Sequence, residues 1–143
     1  MIISGGGVRY SLAGETLARF ATERGIPMAE TIAGKGAVTH DHPAYIGPMG
    51  IEGTDAAKEI SESADVVIAV GTRLQDFTTG SWTTFPRDAR FININAARFD
   101  AHKHHSIAVI GDALASIGEL DQALGDWSCD TGRMQQAQKA YAD

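Results

Sequence analysis

The chain has 143 residues, enough for one domain with a sizeable core, and its 43% apolar and 21% charged content is that of a soluble globular protein. Acidic residues outnumber basic ones by 18 to 12, a formal charge of −6 that argues against nucleic acid or an anionic membrane as partner. No apolar run approaches the roughly 20 residues of a membrane helix, the N-terminus lacks a signal peptide's basic start and cleavage site, and the single Cys129 excludes an internal disulfide, so the expected compartment is cytoplasmic.

Short β-rich runs alternate with amphipathic helical runs along the chain. That pattern predicts an α/β fold: a Rossmann-like parallel sheet flanked by helices on both faces. The first strand is expected at 1–4 and ends in Gly5-Gly6-Gly7. Ser11 is placed as N-cap of the next helix, whose Ala13, Leu17, Phe20 and Ala21 share one face, with Gly25 and Pro27 as stops. A second strand is expected at 27–31. Residues 33–53 then read as one long loop rich in Gly and Pro, a length that usually carries function. Thr54 caps a helix burying Ala56, Ala57, Ile60 and Ala64. Further strands are expected at 65–70, 90–94 and 106–110, and Asp112 caps a last core helix with Ala113, Ile117, Leu120 and Leu124 in register. Residues 1–126 thus form the domain, and 127–143 a linker arm with a helical stretch at 131–142. The strand-like Ile2-Ile3-Ser4 directly after Met1 and the polar stop at Asp143 suggest an excised piece of a longer protein.

Right-handed crossovers bring every loop that follows a strand to one edge of the sheet, where such folds bind ligands. The richest of these loops is Val70-Gly71-Thr72-Arg73-Leu74-Gln75-Asp76-Phe77-Thr78-Thr79-Gly80-Ser81-Trp82, with a cation, a carboxylate, an amide, hydroxyls and two aromatic rings. Arg73 is either one half of a loop ion pair with Asp76 or the partner of a phosphate or carboxylate. Phe77 and Trp82 are expected to pack. Gly5, Gly6 and Gly7 either cradle an anion with backbone N–H groups or merely permit a tight turn. They do not form the dinucleotide fingerprint, because Tyr10 stands where its last glycine belongs. Asn93 and Asn95 sit at a strand's carboxyl end, where a Rossmann acid grips ribose. Gly34-Lys35-Gly36 is not a Walker loop, since Ala29 and Gly36 occupy its required Gly and Ser/Thr positions. The cluster of Asp100, His102, His104 and His105, with His40, Asp41 and His42 elsewhere, matches no zinc spacing; a histidine-rich surface and no metal site is the expectation. No catalytic triad or carboxylate pair stands out, so no catalytic residue is expected in this chain.

The order of motifs resembles the central domain of thiamine-diphosphate-dependent enzymes, of the DHS-like NAD/FAD-binding type. The matching pieces are Ile3-Ser4-Gly5-Gly6-Gly7-Val8, Gly25-Ile26-Pro27, Gly34-Lys35-Gly36-Ala37, Asp41-His42-Pro43, Gly50-Ile51-Glu52-Gly53-Thr54, the run from Ala64 to Arg73, and Ile110-Gly111-Asp112. Within that family, the run from Gly71 to Trp82 and that from Phe91 through Asn95 to His104 are similar to a subfamily of hydrolases that open a cyclic 1,2-dione in inositol catabolism. The resemblance implies a longer parent with flanking pyrimidine- and diphosphate-binding domains, a homo-oligomer (dimer or tetramer), with thiamine diphosphate and Mg2+ bound outside this chain, which alone is inactive. In flavin-containing relatives the central domain holds ADP or FAD in this cleft. That implication falls on Gly5, Gly6, Gly7 and Arg73, while Asn93 and Asn95 depart from the acidic ribose grip. A nucleotide-binding central domain of an acetolactate-synthase-like or oxalyl-CoA-decarboxylase-like enzyme is the alternative.

Overall fold

The structure, a computed structural model, describes residues 1–129 and 131–142. Its centre is β1 (Ile2–Ser4), a strand with every residue buried. On one side lie β2 (Met28–Glu30) and β3 (Tyr45–Pro48), on the other β4 (Val66–Val70), β5 (Arg90–Asn95) and β6 (Ile107–Ile110). The order is β3-β2-β1-β4-β5-β6, with every pairing parallel. Chain order therefore reverses between β1 and β4, the switch point at which doubly wound sheets open a crevice.

Alternation along the strands divides the core in two. Ile2, Ile68, Val70 and Ile94 pack with α2 (Gly14–Glu23) and α6 (Ala113–Leu124), through Leu17, Phe20 and Ile117. Ile3, Val67, Ala69 and Phe91 point the other way, against Ile60 and Ala57 of α3 (Asp55–Glu62) and Ala137 of α7 (Thr131–Ala142). Helices thus cover both faces, as expected. Thr54 and Asp112 cap α3 and α6 as predicted: their side-chain oxygens accept the N–H of Ala57 at 3.1 Å and of Ala115 at 3.1 Å.

Three expectations need correction. The sheet has a sixth strand, because β3 lies inside the segment read as a single loop. Gly47 and Pro48 disguised it as a turn. Gly47 is buried there at φ +95°, and an added Cβ would meet Thr54 Cγ2 at 2.5 Å, so the glycine serves packing beside α3. Pro48 is tolerated because β3 is an outer strand. Ser11 caps no helix start; it closes a short helix, α1 (Gly6–Tyr10), and α2 begins three residues later. Gly14 is needed at that start because a Cβ would sit 2.0 Å from the Ala37 carbonyl oxygen. Two further one-turn helices, α4 (Asp76–Thr79) and α5 (Arg98–Ala101), shape loops that were read as irregular.

The stretch expected as an arm is partly α7, laid against α3 and β3. Ala137 is fully buried, and the Tyr141 ring meets Tyr45 edge-on at 5.6 Å. Its expected end at Asp143 lies outside the described residues.

Candidate functional site

The turns after β1, β2, β4 and β5 meet at the carboxyl edge of the sheet and enclose two adjoining hollows. One, of about 480 Å³, is lined by Gly6, Gly7, Tyr10, Ile32, Thr72 and Phe77 among others. The other, of about 350 Å³, lies towards Asn95, Ala97, Asp100 and Gly111. Gly7, Tyr10, Gly71 and Arg73 line both, so they form the ridge between the two halves. This is the predicted edge, at the topological switch point.

Its floor is main chain. The Gly5 N–H donates to the Val70 carbonyl at 2.8 Å, Gly7 N–H to the Gly71 carbonyl at 2.9 Å, and Gly71 N–H to the Ile94 carbonyl at 2.8 Å. A Cβ on Gly7 would lie 2.6 Å from Gly71 Cα, and one on Gly71, at φ +59°, 2.5 Å from Gly7 Cα. The glycines therefore let two turns touch backbone to backbone. Two of the three N–H groups expected to face an anion are already bonded inside the protein, and α1 is too short to present a helix end to one. Of the two readings left open, the structure supports the tight turn.

Arg73 is exposed, and a pair with Asp76, one of its two open readings, is not among the ion pairs of the described residues. Its carbonyl accepts from Lys103 Nζ at 3.1 Å, which fixes its backbone and leaves the guanidinium at the cleft. Phe77 is exposed at the rim, contrary to the packing expected of it, together with Tyr10 and Ile32. Trp82 does pack: its ring meets Phe91 at 5.2 Å and Phe85 at 6.4 Å, and His104 stacks on it at 3.2 Å.

Asn93 and Asn95 do not reach out for a ribose. Asn93 is fully buried and donates to the Asp100 carbonyl at 2.8 Å; its Oδ1 has no partner in the protein. Asn95 donates to the Thr72 carbonyl at 2.9 Å and accepts the Ala97 N–H at 2.9 Å, tying the turns after β4 and β5 together. It borders the smaller hollow, but both ends of its amide are engaged.

The histidines do not gather. Among the described residues, no group of three or more His, Cys, Asp and Glu is placed to hold a metal ion. Asp100 instead pairs with Lys103 at 2.6 Å. His42 Nδ1 accepts the Ala44 N–H at 3.3 Å. Burial against Trp82, with Lys103 and His105 nearby, holds the His104 pKa below its ordinary value.

The sequence reading missed two residues at this edge, Glu30 and Tyr10, of which Glu30 ties elements together. Glu30, buried at the end of β2, accepts the Tyr45 hydroxyl at 2.6 Å and the Gly36 N–H at 3.0 Å. Burial, then the hydrogen bond to this carboxylate, raises the Tyr45 hydroxyl far above its ordinary pKa. An acidic residue closing an apolar strand was the signal for it. Tyr10, at the ridge, carried no such signal.

A separate hollow of about 240 Å³ between α3 and the loop at 80–84 carries several hydroxyls. Its hydroxyls are satisfied internally: Thr54 donates to Ile46, Ser61 to Ala57, Thr83 to Gly80 and Thr84 to Thr79 carbonyls.

Comparison with known proteins bears on this edge. The family model described as "Thiamine pyrophosphate enzyme, central domain" matches residues 1–120. A protein of Clostridium perfringens named 3D-(3,5/4)-trihydroxycyclohexane-1,2-dione hydrolase is 47% identical over 125 residues, 87% of this chain and 20% of that protein. Proteins of the same name from Geobacillus thermodenitrificans and Listeria monocytogenes are each 42% identical, over 89% and 92% of this chain and 20% and 21% of their own lengths. The chain thus spans about a fifth of the curated relatives it matches.

Proposed function

The chain belongs to the central-domain family of thiamine pyrophosphate enzymes, and from that membership we propose that its full-length protein opens the ring of 3D-(3,5/4)-trihydroxycyclohexane-1,2-dione. The carrying observation is the 42–47% identity, over most of this chain, to relatives bearing that name. On this reading the product is 5-deoxyglucuronate, the setting is cytoplasmic inositol catabolism, and the parent is a homo-oligomer.

The residues of this chain do not fit the family's cofactor. No acidic or histidine group among the described residues is arranged for the divalent ion that would anchor a diphosphate, and the switch-point turn has most of its N–H groups bonded internally. Thiamine diphosphate supplies an electron sink for cleaving a bond beside a carbonyl. In this proposal it sits, with magnesium, on flanking domains. This chain's part is to space those domains and to present the edge around Tyr10, Ile32, Arg73 and Phe77 to them. Alone it is inactive.

A second reading, that the edge holds ADP or FAD as in a synthase- or decarboxylase-like enzyme, draws on Arg73 at the ridge of two adjoining hollows. The full burial of Asn93 and the engaged amide of Asn95 count against it. The test is an assay of the full-length protein with thiamine diphosphate and magnesium. Consumption of the dione is expected; condensation of 2-oxo acids in its place overturns the proposal. Calorimetric titration of ADP and FAD into this chain and its Arg73→Ala variant decides the second reading. No heat is expected, and saturable binding lost in the variant would restore the nucleotide.

A further inference from the structure

Backbone strain in this chain is concentrated in one place. Of the six non-glycine residues with positive φ among the described residues, Leu74, Ser81, Trp82, His104 and His105 all lie in the connections from β4 to β5 and from β5 to β6. Left-handed backbone is costly for a residue with a Cβ, and such outliers persist where the surroundings hold them, in clamps and switches above all. These two connections also differ from the others in build. The helices α2 and α3, which precede β2 and β4, run ten and eight residues, whereas α4 and α5 are single turns of four. Their fit leaves a polar atom stranded: Asn93 Oδ1, fully buried beside α5, finds no partner in the protein.

Asn95 ties the two connections together at the sheet, and farther out a single turn does so. The Trp82 and His104 rings stack at 3.2 Å, each carried by a left-handed pair, Ser81-Trp82 on one side and His104-His105 on the other. One residue away, Lys103 Nζ donates to the Arg73 carbonyl at 3.1 Å while pairing with Asp100 at 2.6 Å. The ring stack and the tie to Arg73 thus belong to neighbouring residues. Relaxing His104 and His105 to ordinary backbone swings the imidazole off Trp82 and displaces Lys103 with it.

A proton can drive that change. The charged groups facing His104 are Lys103 and His105 of its own turn and Asp76 of α4. An imidazolium on an indole face gains cation–π attraction but loses water on that face. Loss of water is the larger effect here: it holds the His104 pKa below its ordinary value, with Lys103 and His105 adding to it and Asp76 opposing. The stacked state therefore favours the neutral ring. It is fully stable above the ordinary histidine value of about 6.5 and weakens as pH falls through that value towards the lowered one. We infer that residues 103–106 form a proton-sensitive latch beside the cleft: neutral His104 closes it on Trp82, and charged His104 releases the stack, the left-handed pair and, through Lys103, the Arg73 turn.

Hydrogen exchange of the chain tests this, read at residues 72–76 and 103–106 from about pH 8 to about pH 5. His104→Phe keeps a ring on Trp82 without a titrating group, and His104→Asn keeps a residue that tolerates left-handed backbone but cannot stack. With intrinsic exchange taken into account, the parent is expected to match the Phe variant at the alkaline end and the Asn variant at the acid end. The strands should stay protected throughout. Trp82 fluorescence, read in a Trp127→Phe background, should change over the same range. Ser81→Gly alters no charge and removes a strained Cβ, so it should move the midpoint to lower pH. Exchange at 72–76 that ignores pH, or that follows pH equally in either His104 variant, overturns the latch. So does a fluorescence change with no change at 72–76, which marks a ring contact alone, or a midpoint that Ser81→Gly leaves in place.

Discussion

The two edges of this sheet are built from similar lengths of strand and meet opposite fates. At β3, every residue but Pro48 is buried, α7 lies alongside, and the Tyr45 hydroxyl is anchored to a buried carboxylate. At β6, no residue is fully buried. The difference follows from what comes next in the chain. Thr54 both caps α3 and donates to the Ile46 carbonyl at 2.7 Å, so the element after β3 folds back onto it. Asp112 caps α6, which packs mainly towards α2, leaving β6 with one neighbour. An edge is protected by where its following helix is aimed, more than by its own propensity.

The comparison has sharp consequences for stability. Ile46→Ala opens a cavity in the core beneath β3 and should cost about 2–5 kcal/mol, whereas Ile110→Ala on β6 should cost roughly 1 kcal/mol or less. Urea unfolding of dilute protein measures both, and equal losses would break the contrast. Tyr45→Phe leaves buried Glu30 short of one donor, a loss of about 1–3 kcal/mol. Because the folded protein holds Tyr45 protonated well above its ordinary value, its stability is intact below pH ~10 and falls as pH rises beyond it. The Phe variant should lose that alkaline fall, which thermal melts across the range will show. Thr54→Ala removes one cap and one tie to β3, for about 1 kcal/mol. Asp112→Ala should be the mildest, as its carboxylate is fully exposed. Hydrogen bonds from Ser11 and the Ala115 N–H hold its pKa below the usual carboxylate range. The stability it adds is present above that range and lost as acid protonates it, so variant and parent melts should converge at low pH.

Much of this architecture was legible in the sequence. Apolar alternation marked five strands, and Thr54 and Asp112 marked two helix starts, because their signals are local. Strand β3 was hidden because Gly47 and Pro48 carry turn chemistry while answering to Thr54 and to the sheet edge. Ser11 resembled a cap because nothing in the sequence shows that Gly14 must pass under Ala37. The ligand edge was legible as a place, since topology fixes it, yet less so as chemistry. Whether Asn93 and Asn95 face a ligand or brace the turns depends on Asp100 and Thr72, partners 7 and 23 residues away, as well as on nearby Ala97. Glu30 and Tyr45 were missed because their pairing spans two strands.

The contact between Gly7 and Gly71 limits how this edge can diverge. A surface built from main chain has no side chains to exchange, and a methyl group at either position would push the two turns apart. Substitution that spares the two turns is thereby confined to the rim. Tyr10, Ile32, Arg73 and Phe77 are all accessible to substitution without disturbing the turns below them. The fold keeps one close backbone joint and leaves its margin open to substitution.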